Sequence, residues 1–354
     1  MSSLPRRSVR LVAAVIVLVL VGQFWAIASE RVKSTSKRRA HAAVAAAVSI
    51  PLERFTPDPP RPKPRPRVVR RAPAKPAPPH STVAARRRPT VFSGLAVWVD
   101  QLDFANLDVA QAIATMRANG VHALYIQSGE SSTADAVLPD VGPWLLAAHQ
   151  AEIKVVAWYL PHYSDVKLDV ARTVAAARYE FLGQRFDGVG VDIEYRRAVK
   201  GHAQWNHRVA QQMELVRRAL GPHYPLAAIP PPPLQMAVAP EFWAGFPWES
   251  LGRSSSEIML MDYWSARSGC PEIPLHCAYQ FTKVNIDQTR ALTGNRVPIH
   301  VIGGVATHVT KNEIAAFVKA ARDARADGAS IYDFGSTPEG WWPLLQPLRT
   351  LGRR

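Results

Sequence analysis

Between residues 91 and 354, eight short apolar runs alternate with helix-length amphipathic stretches, and this count constrains the fold more than any other feature. The runs cover 94–100, 122–129, 154–161, 188–195, 224–231, 257–264, 297–304 and 328–335. Helical patterns such as 107–120, 170–183, 206–221 and 311–328 separate them. Thr310 and Glu313 stand at capping-box spacing. Alternation of strand and helix calls for parallel pairing with right-handed crossovers. Eight units in about 250 residues is what a closed (β/α)8 TIM-type barrel requires. An open doubly wound sheet is the rival, but no G-x-G-x-x-G follows the first run.

The 354-residue chain carries a formal charge of +15, and that charge is unevenly placed. Residues 1–90 hold 19 Lys and Arg against 3 Asp and Glu, leaving 24 against 25 for the rest. A nucleic-acid-binding domain needs its basic residues on a folded surface. Here the part able to fold is nearly neutral, so no nucleic-acid partner is expected.

Residues 1–30 read as a signal peptide or signal anchor. A basic start precedes about eighteen apolar residues, close to the roughly 30 Å hydrocarbon core at 1.5 Å per residue. Ala26 and Ala28 form an A-x-A site that favours cleavage after Ala28. The basic cluster just beyond favours retention, with residues 9–28 in the membrane. Residues 31–90 read as a disordered Pro/Arg-rich linker. Residues 51–89 alone contain 12 prolines and 11 Lys and Arg, a self-repelling polyproline-like spacer with no core. Its charge suits anionic envelope polymers or serves solubility alone. The expectation is an exported barrel, membrane-anchored outside the cytoplasm or secreted.

Active sites of such barrels lie at the C-terminal ends of the strands. The polar residues there are Asp100, Gln127, Tyr159, Asp192 with Glu194, Asp262 with Tyr263, and Asp333. Side chains alternate along a strand. Gly190, Asp192 and Glu194 therefore share one face, while Val189, Val191 and Ile193 suit the helix layer. Two crowded carboxyls raise at least one pKa, as a general acid requires. The structural alternative is an ion pair with Arg196 or Arg197. Trp158, Tyr159 and Tyr332, with Trp98, Tyr195 and Trp264, supply rings for stacking on sugars or for packing.

The segment Asp187-Gly188-Val189-Gly190-Val191-Asp192-Ile193-Glu194 resembles the fourth-strand signature of family 18 glycoside hydrolases, the chitinase-type barrels, D-G-x-D-x-D-x-E. Met261-Asp262-Tyr263 resembles that family's M-x-Y element on the sixth strand. The resemblance implies that Glu194 protonates the glycosidic oxygen, that Asp192 orients an N-acetyl group, and that Tyr263 holds the same group as it attacks the anomeric carbon. It departs at Gly190, where the family has its middle Asp, and at Tyr332 and Phe334, where the family places a Trp floor. Substrate contacts are expected from Asp100, Gln127, Trp158, Tyr159, Asp262, Tyr332 and Asp333. Strand alternation allows only one of Asp262 and Tyr263 to face inward. The seventh run offers His300 and no acid.

No cofactor and no metal site is expected, since the histidines are scattered and no paired Cys/His spacing occurs. Cys270 and Cys277, the two cysteines, are expected to form a disulfide after export. The resulting expectation is a monomeric, membrane-tethered glycosidase acting on an envelope or N-acetylated polysaccharide. A glycan-binding barrel without turnover, and a structural envelope protein, are the alternatives.

Overall fold

The first strand, Gly94–Val99 (β1), is buried along its whole length because it is covered on both faces. Leu95, Val97 and Val99 pack outward against helices, and Ala96 and Trp98 pack inward. The computed structural model describes residues 90–196, 198–237, 240–266 and 274–353. The expected segments 1–30 and 31–89 lie outside these residues. Among the described residues no helix is long and apolar enough to cross a membrane.

The remaining barrel strands are Ala123–Glu130 (β2), Lys154–Leu160 (β3), Gly188–Asp192 (β4), Leu226–Ile229 (β5), Glu257–Asp262 (β6), Ile299–Val305 (β7) and Gly328–Tyr332 (β8). Each pairs in parallel with its sequence neighbours, and β8 returns to β1 with Gly94 opposite Gly328. This is a closed eight-stranded ring, as the eight-run count requires. The principal outer helices are Val109–Ala118 (α1), Val141–Gln150 (α2), Val166–Arg178 (α3), His202–Leu220 (α4), Trp248–Ser254 (α5), Pro274–Leu292 (α6), Lys311–Asp323 (α7) and Trp342–Leu345 (α8). Three of them, α1, α3 and α7, start at side chains that satisfy orphan amides. Asp108 accepts from Gln111 N at 2.8 Å, Asp165 from Lys167 N and Leu168 N, and Thr310 with Glu313 closes a reciprocal capping box.

One pattern read as helix is not. The apolar periodicity of 170–183 continues past the end of α3, yet Glu180–Phe181 and Gln184–Arg185 form a small antiparallel hairpin. Leu182 and Gly183 both take positive φ, 48° and 79°. This matches the two-residue turn whose twist suits a hairpin.

Most of the barrel interior is apolar, and several of its polar groups are paired in one chain. Trp98 Nε1 donates to Ser330 Oγ at 2.8 Å, and Ser330 Oγ lies 2.9 Å from His300 Nε2. His300 Nδ1 lies 2.9 Å from Phe92 O. A carbonyl only accepts, so Nδ1 carries the proton and Nε2 accepts from the serine hydroxyl. His300, the only polar candidate on the seventh run, is therefore part of the barrel floor. Burial lowers its pKa to about 4 and keeps it neutral.

Candidate active site

The fourth strand ends its ladder at Asp192, earlier than the expected 195, but the alternation carries on. Ile193 N still bonds Ile229 O at 2.9 Å. Val189, Val191 and Ile193 pack in the outer layer, which places Gly190 and Asp192 on the inner face. Asp192 is 9% exposed, and its Oδ1 is buried with no hydrogen-bond partner. Glu194 is half-buried just beyond it.

Burial pushes both carboxyls up. Asp192 is driven well above the usual carboxylate range by burial and then by the charge of Glu194. Glu194 is pushed up to about 7, by burial. The pair therefore retains a proton at neutral pH. Of the two arginines that offered a structural alternative, Arg196 lies over the rings of Trp205 and Trp243 at 5.2 and 5.6 Å. Arg197 lies outside the described residues.

Tyr263 follows β6 and feels the charges of Glu194, Asp192 and Asp333, which with burial hold its phenol protonated. Its ring is 6.2 Å from that of Tyr332. The Tyr332 hydroxyl donates to Asp100 Oδ2 at 2.6 Å. Trp158 and Trp98 pack inside the same wall, 5.9 Å apart. Trp158 Nε1 is a second buried polar atom without a partner. Gln127 also belongs to the inner face but is committed to the β1 loop, accepting from Gln101 N at 3.0 Å.

Two expected substrate contacts are corrected. Tyr159 alternates with Trp158, so its ring turns outward, and its hydroxyl donates to buried Asp169 Oδ1 at 2.8 Å. Asp262 alternates with Tyr263 and faces α6, where it accepts from Asn285 Nδ2 at 2.8 Å and from the Thr282 hydroxyl. Neither side chain points to the mouth. Asp187, the first residue of the motif, is also structural. It sits at the opposite end of β4, bonded to His149 Nε2, Lys154 Nζ and Val155 N, each at 2.9 Å. Trp264 packs on Phe317 in the outer layer. Tyr195 stacks on His162 at 3.9 Å.

Sequence reading missed Asp103. Oxygens of Asp100, Asp103 and Asp333 lie within 4.8 Å of one another where the β1 and β8 loops meet. Burial and the charges of Asp333 and Asp100 raise Asp103 to about 7. Asp333 Oδ1 already accepts from Ser336 N at 2.8 Å, and Asp103 Oδ2 lies 3.3 Å from Asp100 N. Of the cluster, Asp103 and Asp333 hold their protons to higher pH than free carboxyls do, chiefly through burial. No periodic signal marks Asp103, because it is placed by a loop.

Cys270 lies outside the described residues, so its expected bridge to Cys277 does too. Among the described residues there is no free cysteine.

No family model and no curated protein matches the sequence. Solved structures do match its fold. The chitinase of Chromobacterium violaceum superposes with a TM-score of 0.52 at 12% identity, over 72% of this chain and 99% of that one. A glycoside hydrolase family 18 N-acetylglucosaminidase from Paenibacillus barengoltzii gives 0.52 at 10% identity, over 73% and 99%. The Bacillus cereus spore cortex-lytic enzyme SleL gives 0.56 at 10% identity, over 75% and 76%. At such identities the likeness is one of fold. The chain is a (β/α)8 barrel whose fold is similar to that of these glycoside hydrolase family 18 structures.

Proposed function

We propose that the barrel is a glycoside hydrolase acting on an N-acetylated polysaccharide of the cell envelope. The observation that carries this reading is buried Asp192 with half-buried Glu194 beside Tyr263 at the end of the fourth strand, in a fold similar to that of chitinases. Glu194, held protonated near neutrality, donates its proton to the glycosidic oxygen as the leaving sugar departs. The acetamido carbonyl of the substrate attacks the anomeric carbon, so no carboxylate nucleophile is needed. Tyr263, a neutral donor, and Asp192, whose Oδ1 awaits a partner, hold and orient that group. Tyr332 and Trp158 line the inner wall, and Asp100, Asp333 and Gln127 keep that wall in place.

The same reading includes export. Residues 1–30 direct the chain outward, and residues 31–90 tether or space the barrel, with anionic envelope polymers as partners of that stretch. A Cys270–Cys277 disulfide belongs with an exported chain.

One observation favours a second reading, a glycan-binding barrel without turnover. Where the family signature has its middle Asp, this chain has Gly190, and Ile229 occupies the space. Incubation of the full chain with chito-oligosaccharides and envelope glycans decides between them. New reducing ends that vanish in Glu194→Gln support hydrolysis. Glycan retention with no new reducing ends supports the binding reading.

A further inference from the structure

At the end of the barrel opposite the catalytic mouth lies a cleft of about 630 Å³ whose lining includes four arginines. Arg217 and Arg218 come from the end of α4, Arg253 from α5, and Arg296 from the turn before β7. Thr90, Ser255, Ser256 and Asp327 complete its polar lining, each preceding a different strand or sharing its entry turn. The sequence spreads these residues over more than two hundred positions, and only closure of the ring brings them together.

Arg217 is a fixed wall. Its guanidinium donates to Ser254 O at 2.7 Å, Gly221 O at 2.9 Å, Tyr224 O at 2.7 Å and Ser256 Oγ at 3.0 Å. None of these acceptors is charged, and burial lowers its pKa, so a nearby anion relieves it. The other three are held loosely. Arg253 and Arg296 share one carboxylate, Glu249, at 2.8 and 3.5 Å, and Glu249 is 67% exposed. Arg218 reaches Glu214 at 3.6 Å with both side chains exposed. Exposed pairs of this kind exchange readily for a better anion. Ser255 Oγ is buried without a hydrogen-bond partner.

We propose that this cleft binds a phosphate-bearing polymer chain, at a site separate from the glycan mouth. Guanidinium forks converging from three elements suit a tetrahedral oxyanion better than a planar carboxylate, which one fork satisfies. A cleft of this volume holds more than a single anion. Asp327 and the hydroxyls at the same rim suit the neutral, hydroxylated parts between phosphates.

The test uses the full chain, with inorganic tripolyphosphate as probe and polygalacturonate as the carboxylate arm. Arginines are modified with phenylglyoxal with and without probe, and the sites are mapped by peptide mass. Tripolyphosphate is expected to protect Arg253 and Arg296. Protection confined to arginines of residues 1–89, or equal protection by polygalacturonate, overturns the assignment. Arg253→Ala with Arg296→Ala is expected to weaken tripolyphosphate binding by about tenfold or more, the scale of lost charge-assisted bonds. Glu249→Gln is expected to tighten it by freeing both guanidiniums. The basic tail is present in every variant, so these differences read the cleft alone. An unchanged affinity in Glu249→Gln and in the double arginine variant overturns the proposal, whatever the outcome of the glycan assay.

Discussion

Gly190 and Ile229 meet so closely across the β4–β5 pair that a β-carbon on Gly190 would lie 2.8 Å from Ile229 Cδ1. The end of the Ile229 side chain fills the space beside the glycine and must shift before a larger residue fits there. Gly190→Asp should therefore destabilise the barrel by about 1–3 kcal/mol, the usual cost of overpacking plus an unsatisfied buried acid. Adding Ile229→Ala should recover part of that loss. Thermal melting of the two variants checks it; equal melting temperatures would remove Ile229 from the account.

The acid pair fixes a pH dependence. On the proposed mechanism Glu194 must be protonated to act, so turnover should fall as pH rises through about 7. Asp103 shares that range, so Asp103→Asn serves as the control and should leave the limb in place. A limb that moves with Asp103 and not with Glu194→Asp would reassign it.

The same pair bears on stability with a definite sign. Both folded-state pKa values are raised above unfolded values near 4. Their contribution is fully present below about pH 4 and is lost as pH rises through the folded values. Glu194→Gln should thus melt higher than the parent chain at pH 8, by on the order of 1–3 kcal/mol, and equally at pH 4. Calorimetry at the two pH values reads the difference. Equal melting at pH 8 would show that Glu194 ionises without penalty.

At the other end of the barrel the sign is reversed. His300 has its pKa lowered to about 4 by burial, so its contribution is present above the unfolded value near 6.5 and declines as pH falls toward 4. Ser330→Ala removes the hydroxyl between Trp98 Nε1 and His300 Nε2 and should cost about 2–4 kcal/mol at pH 7 by leaving two buried groups unpaired. Denaturant unfolding measures that cost. A loss within 0.5 kcal/mol, the range of ordinary surface changes, would mean that water replaces the hydroxyl.

Much of the fold was legible because parallel strands buried on both faces read as continuous apolar runs bounded by turns. The pairing of Asp192 with Glu194 followed from period-two alternation. That rule also separates Tyr263 from Asp262 and Trp158 from Tyr159, once the inward residue of each pair is known. The single sequence put Tyr159 among the substrate contacts because a tyrosine serves equally in a wall or in a buried hydrogen bond, and its partner Asp169 lies on a helix ten residues on. Asp103 and the arginine cleft were illegible for a different reason. Loops and ring closure bring their members together, and no local pattern records a juxtaposition that only the closed topology creates. The 180–185 hairpin was hidden because two residues of positive φ interrupt a periodicity that composition alone continues.

The chain of hydrogen bonds from Trp98 through Ser330 and His300 to Phe92, packed among Tyr125, Met259 and Ile302, acts as a stopper in the axis of the barrel. The ring is therefore closed along its axis. On the proposed activity, a polymer cannot thread through the ring and reaches Glu194 from the rim alone.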